Sequence, residues 1–477
     1  MYLGIDLGTS GVKVVVIDGD QRLLAQAQAG LSVARPRDGW AEQDPAQWIA
    51  ATQAALSELA AGHDLSGVAG IGLSGQMHGA VVLDEADRVI RPAILWNDSR
   101  SHEQAARLDA DPRFRAMSGN IVFPGFTAPK LAWMAEHEPA AFARVACVLL
   151  PKDYLRLWLT GERVAEMSDA SGTGWLETGA RDWSDALLAA SGMRRDQMPP
   201  LIEGSAVSGR LRPRIAADFG LPAGVPVAGG AGDNAATAIG AGTIAEGQGF
   251  VSLGTSGVLF AATATYRPRP DSAVHAFCHA LPGMWHQMGV ILSASAALEW
   301  FAGVTGSTPA DLTRALGPDL RAPGEVTFLP YLAGERTPHN DAAARASFTG
   351  ISARSDRAAL TQALLEGVAF ALADNLDALR AAGSDPRALL ALGGGARSDY
   401  WLKAIATALD LPVLLPRSGD FGAAFGAARL GLMAATGADA TEVCTAPPIA
   451  REIAPEAGLR KAFEDALARF RGLYRRA

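Results

Sequence analysis

Six residues of this chain occur twice. Leu7 to Val12 read LGTSGV, and Leu253 to Val258 read LGTSGV again, each copy between two short apolar runs. An apolar run, a glycine-rich turn and a second apolar run predict strand, hairpin turn, strand. Two copies, one near the start of each half, point to two domains of related topology. A stacked array would need more repeats. The glycine-rich, charge-poor stretch from Gly240 to Gly249 is the expected boundary, giving domains 1–242 and 243–477. At 477 residues the chain is too long for one core, which agrees with that division.

Elsewhere strand and helix signals alternate. Asp44-Pro45 reads as a cap and a first-turn proline opening a helix to about Leu59. Gly67 to Leu73 and Ala80 to Leu83 read as buried strands, and Val225 to Gly229 as another, followed by an Ala-rich helix from Asn234. Arg357 to Leu379 predicts a long helix with a broad apolar face, then a strand at Leu389 to Leu392, a loop Gly393 to Gly395 and a helix Asp399 to Leu409. The tail ends in a basic amphipathic helix, Arg460 to Arg476, read as surface packing. The fold class is α/β throughout, two similarly built domains with a cleft between them.

Composition narrows the partners. A formal net charge of −8 lacks the basic field that a nucleic-acid backbone needs, so any polyanion must be held locally. Cys147, Cys278 and Cys444 are far apart and form no C-x-x-C pair, which fits a reducing compartment. MYLGIDLG enters a strand at once with no signal-peptide pattern, and no long uninterrupted apolar run suggests a membrane span; the expectation is cytoplasmic.

In Asp6-Leu7-Gly8-Thr9-Ser10-Gly11, two glycines let a tight turn aim backbone N–H groups at one anion. Thr9 and Ser10 add hydroxyls, and Lys13 adds a charge if it faces inward. Asp6 beside that cradle would repel a phosphate unless a cation lies between, so the pattern suggests Mg²⁺. The plain alternative is a hairpin turn with a solvated acid; the second copy favours phosphate. There Ser252 replaces the aspartate. No G-x-x-x-x-G-K-[ST] loop or G-x-S-x-G elbow occurs.

Gly229-Gly230-Ala231-Gly232-Asp233-Asn234 places an acid at a helix start. Asp233 reads either as an N-cap or as a base that accepts a hydroxyl proton, and the two are compatible. Ser74 to Gly79 is a polar loop in which Gln76 and His78 suit a polyol and Met77 supplies an apolar wall; a satisfied loop histidine is the plain reading. Trp96-Asn97-Asp98-Ser99-Arg100 gives an aromatic face with polar neighbours, or else a helix start capped by Asp98 or Ser99. His275, Cys278, His279 and His286 match no four-ligand zinc pattern and read as packing.

Gly4 to Ser10, Gly229 to Asn234, Ser252 to Gly257 and Gly393 to Arg397 resemble, in order and spacing, the FGGY carbohydrate kinases of the actin-like superfamily. The likeness runs from Tyr2 to about Leu432. Ser74 to Ala80, Arg91 to Asp98, Pro124 to Lys130, Leu150 to Arg156 and Tyr331 to His339 are similar to members that act on D-xylulose. The resemblance implies two actin-like (ribonuclease H-like) ATPase domains, the first binding the sugar and the second the nucleotide. It implies ATP and Mg²⁺, Asp233 as the base and Asp6 at the metal and phosphates, so that Asp6 and Asp233 are the metal-side carboxylates. Met77, His78 and Asn234 would touch the sugar. Gly254 and Thr255 would hold phosphates, and Gly394 and Gly395 the adenosine side. The implied reaction is ATP-dependent phosphorylation of D-xylulose to its 5-phosphate. A kinase of another pentulose or a pentitol, or an actin-like ATPase without a sugar, is the alternative. A homodimer is left open.

Overall fold

Leu3, Ile5 and Leu7 alternate along Tyr2–Leu7 (β1) and are fully buried on one face, while Gly4 and Asp6 fall on the other. This strand pairs antiparallel with Gly11–Ile17 (β2), which pairs with Leu23–Gly30 (β3). On its other edge β1 runs parallel to Gly70–Gly75 (β4). Val207–Arg210 (β5) and Pro226–Ala228 (β6) complete the order β5-β6-β4-β1-β2-β3, and the short strand Ala231–Gly232 (β7) also pairs with β4. The structure is a computed structural model describing residues 1–417 and 421–474.

The second sheet repeats this plan. Its strands are Gly249–Leu253 (β8), Gly257–Thr263 (β9), His275–Cys278 (β10), Trp285–Ile291 (β11), Leu389–Leu392 (β12), Val413–Pro416 (β13) and Ile449–Ile453 (β14), in the order β10-β11-β9-β8-β12-β13-β14. β8 pairs antiparallel with β9 and parallel with β12, as β1 does with β2 and β4. Each LGTSGV copy is therefore the turn between the first two strands of its sheet.

Helix Pro45–Gly62 covers one face of the first sheet, opened by Asp44, whose carboxylate accepts the Ala46 N–H. The other face takes helix Ala423–Thr436 from the second half, and glycine makes this approach possible. A Cβ on Gly4, Gly70 or Gly72 would run into the carbonyls of Ala424, Gly431 and Ala427. Helix Arg357–Ala381, capped by Asp356, is buried along almost its whole length against the second sheet. Helix Arg460–Tyr474 packs Phe463, Ala466 and Phe470 into that core, and its Arg471 pairs with Asp374 and Asp377; Arg475 and Arg476 lie outside the described residues. No helix among the described residues is long and apolar enough to cross a membrane.

Predicted and observed bounds differ by one to three residues. The strand expected from Gly67 starts at Gly70, and the helix expected from Asn234 starts at Asp233. Neither Asp98 nor Ser99 caps a helix: the Asp98 carboxylate accepts the Ala41 N–H and binds Arg100, and the next helix begins at His102.

Candidate active site

β4 lies between β1 and β7, and this register builds the site. Asp6 stands opposite Ser74, and Gly232, opposite Gly75, immediately precedes Asp233. Two carboxylates thus flank the end of one strand, which runs on into Gln76-Met77-His78. Gly232 takes the N-cap position and Asp233 is the first residue of helix Asp233–Ala241. Its Oδ1 accepts the Asn234 backbone N–H at 2.7 Å and the Asn234 side-chain amide at 3.0 Å.

Burial, then the neighbouring Asp6 charge, push the Asp233 pKa up to about 6, against the two Asn234 hydrogen bonds. Burial also raises Asp6, opposed by the Ser74 hydroxyl and the Lys13 ammonium, which stands directly across the β1–β2 pair. The Lys13 side chain is itself lowered by burial and raised by Asp6. Asp6 Oδ1 is buried without a hydrogen-bond partner among the described residues. A raised carboxylate beside a second one is the usual setting of an acid–base group.

The Gln76-Met77-His78 loop is fixed from several sides. His78 has φ 68°, stacks on Phe126 at 4.9 Å between centroids, and its Nδ1 lies 2.6 Å from the Gly172 carbonyl. Since a carbonyl only accepts, Nδ1 carries the proton and Nε2 is left as an acceptor. Burial, with the Lys130 charge, lowers this ring to about 3, so it is neutral. Lys130 Nζ and Thr127 Oγ1 both donate to the His78 carbonyl. The Met77 side chain lies against Gly232.

The first LGTSGV turn is wired to this loop. Thr9 Oγ1 donates to Gln76 Oε1 at 3.0 Å and accepts from Trp96 Nε1 at 2.9 Å. Gln76 Nε2 donates to Gln43 Oε1, and Gln43 Nε2 reaches back to the Thr9 carbonyl. Gln76 thus engages both ends of its amide inside the protein, and Gln43 is a member that reading the sequence missed; nothing in its local pattern marks it. Gly8 N–H closes the turn on the Gly11 carbonyl, and Ser10 is exposed. Asn97 Oδ1 is buried and has no hydrogen-bond partner among the described residues, and Trp96 is 39% exposed.

The second half contributes two things. One is a cavity of about 650 Å³ that brings together Gly254, Thr255, Gly394 and Gly395 with Ser295, Arg314 and Trp401. The other is Arg336, whose guanidinium lies 4.6 Å over the Phe123 ring of the first half. His275 and Phe277 also reach the first half, at 5.2 Å from Phe123 and 6.3 Å from His78, so the sugar-loop candidates sit at the junction of the halves. His286 stacks on Phe260 and His279 contacts the Thr243 carbonyl, so these rings are held by packing.

Two sheets of one plan, each with a glycine hairpin at its head and with a carboxylate pair beside one of them, define an actin-like nucleotide-dependent phosphotransferase. The chain matches the FGGY family of carbohydrate kinases, N-terminal domain over residues 1–240 and C-terminal domain over residues 249–435, and it belongs to that family. The xylulose kinase of Escherichia coli (strain K12) is 47% identical over 478 residues, 99% of this chain and 98% of that one. The Klebsiella pneumoniae xylulose kinase is 49% identical over 437 residues, 91% of this chain and 90% of that one. A solved structure described as a "xyloylose kinase" from Brucella ovis superposes with a TM-score of 0.97 at 62% identity, covering 99% of this chain and 98% of that one. Like other carbohydrate kinases of this family, the chain uses ATP.

Proposed function

We propose that this chain transfers the γ-phosphoryl group of ATP to the terminal hydroxyl of D-xylulose, giving D-xylulose 5-phosphate and ADP. The single observation that carries the chemistry is the placement of Asp233, at the start of its helix after β7, beside the end of β4, Asp6 and the sugar loop, where burial and the Asp6 charge raise its pKa. The substrate follows from relatives that are xylulose kinases over nearly the full chain.

The first half, residues 1–242, holds the sugar and the base; the second, 243–477, holds the nucleotide. Neutral His78 offers Nε2 to a sugar hydroxyl, Met77 and Phe126 wall the carbon chain, and Asn234 and Trp96 add polar and aromatic contact. Asn97 offers its unpartnered oxygen. Gln76 acts through Thr9, keeping the turn and Trp96 in register. Arg336 supplies donors from the second half to the ketone oxygen, which can only accept. In-line attack forms the bond from the sugar oxygen to the γ-phosphorus, the bond to the β-phosphate oxygen breaks, and the hydroxyl proton passes to Asp233. Gly8, Thr9, Ser10 and Lys13 are assigned to the transferring phosphate; of the residues that line the cavity of the second half, Gly254 and Thr255 are assigned to the remaining phosphates and Gly394 and Gly395 to the adenosine side.

Asp6 and Asp233 suit Mg²⁺: hard carboxylate oxygens, one of them buried without a partner, next to a phosphate turn. When bound, the ion neutralises phosphate charge. Cytoplasmic residence fits the three buried free cysteines. The test is ADP release with Mg²⁺ across ketoses and polyols, with a no-sugar control. A pentitol or another pentulose preferred over D-xylulose overturns the substrate. Near-normal turnover by Asp233→Ala overturns the base.

A further inference from the structure

Behind the base loop lies a group of charges that the reaction does not use. Lys152, Asp153, Arg156, Glu166 and Asp169 have no exposed side-chain surface. Lys152 Nζ lies 2.8 Å from Asp153, 2.9 Å from Asp169 and 3.4 Å from Glu166, and Arg156 lies 2.8 Å from Asp153. Such a cluster is costly to desolvate, and well-packed apolar residues often serve stability equally well. Its contacts give it a different purpose.

Arg156 donates through its other guanidinium nitrogen to the Gly229 carbonyl, at the start of the loop that carries Asp233. Glu166 accepts the Ser168 hydroxyl and the Ser168 and Asp169 backbone N–H groups, all at 2.8 Å. Oriented in this way, the Ser168 oxygen accepts the Gly232 N–H at 3.1 Å, one residue before Asp233. Gly229 and Gly232 are thus each held from behind by this cluster. Four residues after Ser168, the Gly172 carbonyl takes His78 Nδ1, and a Cβ on Gly172 would collide with His78. Between them, the Ser171 hydroxyl accepts the Cys278 N–H of the second half at 3.0 Å.

We propose that Ser168 and Arg156 are positioning residues: the segment 166–173, anchored by the buried charges, sets the register of the Asp233 loop and of His78 together, so that base and sugar are aligned by one rigid element. The inference rests on Asp233 being the base.

The test compares Ser168→Ala with Ser171→Ala, which removes an equally buried hydroxyl from the same segment without touching the base loop. Ser168→Ala is expected to lower kcat about tenfold, the effect of one buried hydrogen bond on the reacting geometry, while KM for D-xylulose and for ATP stays within about twofold. ADP release without sugar is expected to hold steady, amide exchange in the peptide containing Gly232 to quicken, and Ser168→Thr to recover kcat. Ser171→Ala leaves exchange at Gly232 as in the parent. Should Ser168→Ala not fold, Ser168→Cys keeps the volume with a poor acceptor and is read the same way. An unchanged kcat, or an equal loss in Ser171→Ala with no change at Gly232, overturns the proposal. Asp233→Ala is run alongside: if it is inactive and Ser168→Ala is normal, only the positioning role falls; if it is active, the base assignment falls first.

Discussion

The two LGTSGV turns are identical in six residues and join matching strand pairs, yet the side chains around them differ. Asp6 precedes the first and Ser252 the second. The Thr9 hydroxyl is held by Gln76 and Trp96, whereas Thr255 is exposed and its carbonyl accepts the Ala294 and Ala296 N–H groups at the start of helix Ser295–Val304. The first turn is therefore built into a carboxylate and sugar-loop network, and the second into the rim of a cavity. One local sequence makes one local shape; the residue before it and the element packed on it decide what it is for.

The widest separation between the turns is expected at the acids. Asp6→Asn and Asp233→Asn should each lower kcat by between about a hundred- and ten-thousandfold, the usual share of acid–base and charge-organising groups. Ser252→Ala, at the matching position of the second sheet, should stay within about twofold of the parent, since among the described residues its side chain makes no hydrogen bond to a group of the site. Steady-state ADP release checks all three. Comparable losses at Asp6 and Ser252 would mean that the turns share the catalytic work.

A smaller effect tests the cavity. A Cβ on Gly395 would meet Leu253, Trp401 and Ser295 at 2.7 to 3.2 Å. Overpacking of this kind costs about 2 kcal/mol of strain; relieved by pushing the cavity wall into the nucleotide's place, the same energy is roughly thirtyfold in affinity. Gly395→Ala is expected to raise KM for ATP by that factor and leave KM for the sugar unmoved. A matching rise for the sugar would tie the cavity to the wrong substrate.

The turns were legible because hairpins announce themselves locally: a period-two apolar run, two glycines, another run. The same holds for helix Arg357–Ala381 and strand Leu389–Leu392, where burial on a broad face leaves a strong pattern. The secondary structure of residues 84–210 was not legible, since strands of two or three residues such as Ala165–Glu166 carry too little pattern to read. Helix Ala423–Thr436 went unread, and its docking on the first sheet rests on glycines whose partners lie hundreds of residues away. In the site, Asp233, Met77 and His78 stood out by residue type and motif. Gln43 did not, and Lys152, Asp153 and Arg156 entered only within the Leu150 to Arg156 resemblance, with nothing to mark them as buried, because charged side chains are so seldom fully buried. Only the packing reveals that they face inward.

Thr9→Val and Thr255→Val sharpen the comparison further, being the same change in the same hexapeptide. Losing the Thr9 hydroxyl leaves Gln76 Oε1 without a donor and Trp96 without an acceptor, a loss of about 1 kcal/mol. About a fivefold drop in kcat/KM for the sugar is expected, with ATP little affected. Thr255→Val should act on ATP alone. Equal effects of the pair on both substrates would erase the distinction between the turns.

The last effect is the smallest at neutral pH and separates the two halves by charge. With Asp233 near 6, the group is ionised above that value and protonated below it, and only the ionised form accepts the hydroxyl proton. The expected profile of kcat/KM is flat above about pH 7 and falls about tenfold per unit well below 6. A divalent cation at the carboxylate pair favours the ionised form, so raising Mg²⁺ should move the acid limb lower. Thr255→Val should leave the limb in place, because the second turn carries no acid. Asp6→Asn should shift it down in its residual activity, since the Asp6 charge is one of the two causes holding Asp233 up. A limb that stays put in Asp6→Asn would mean that burial alone sets the base, and that the first turn differs from the second by its packing and not by its carboxylate.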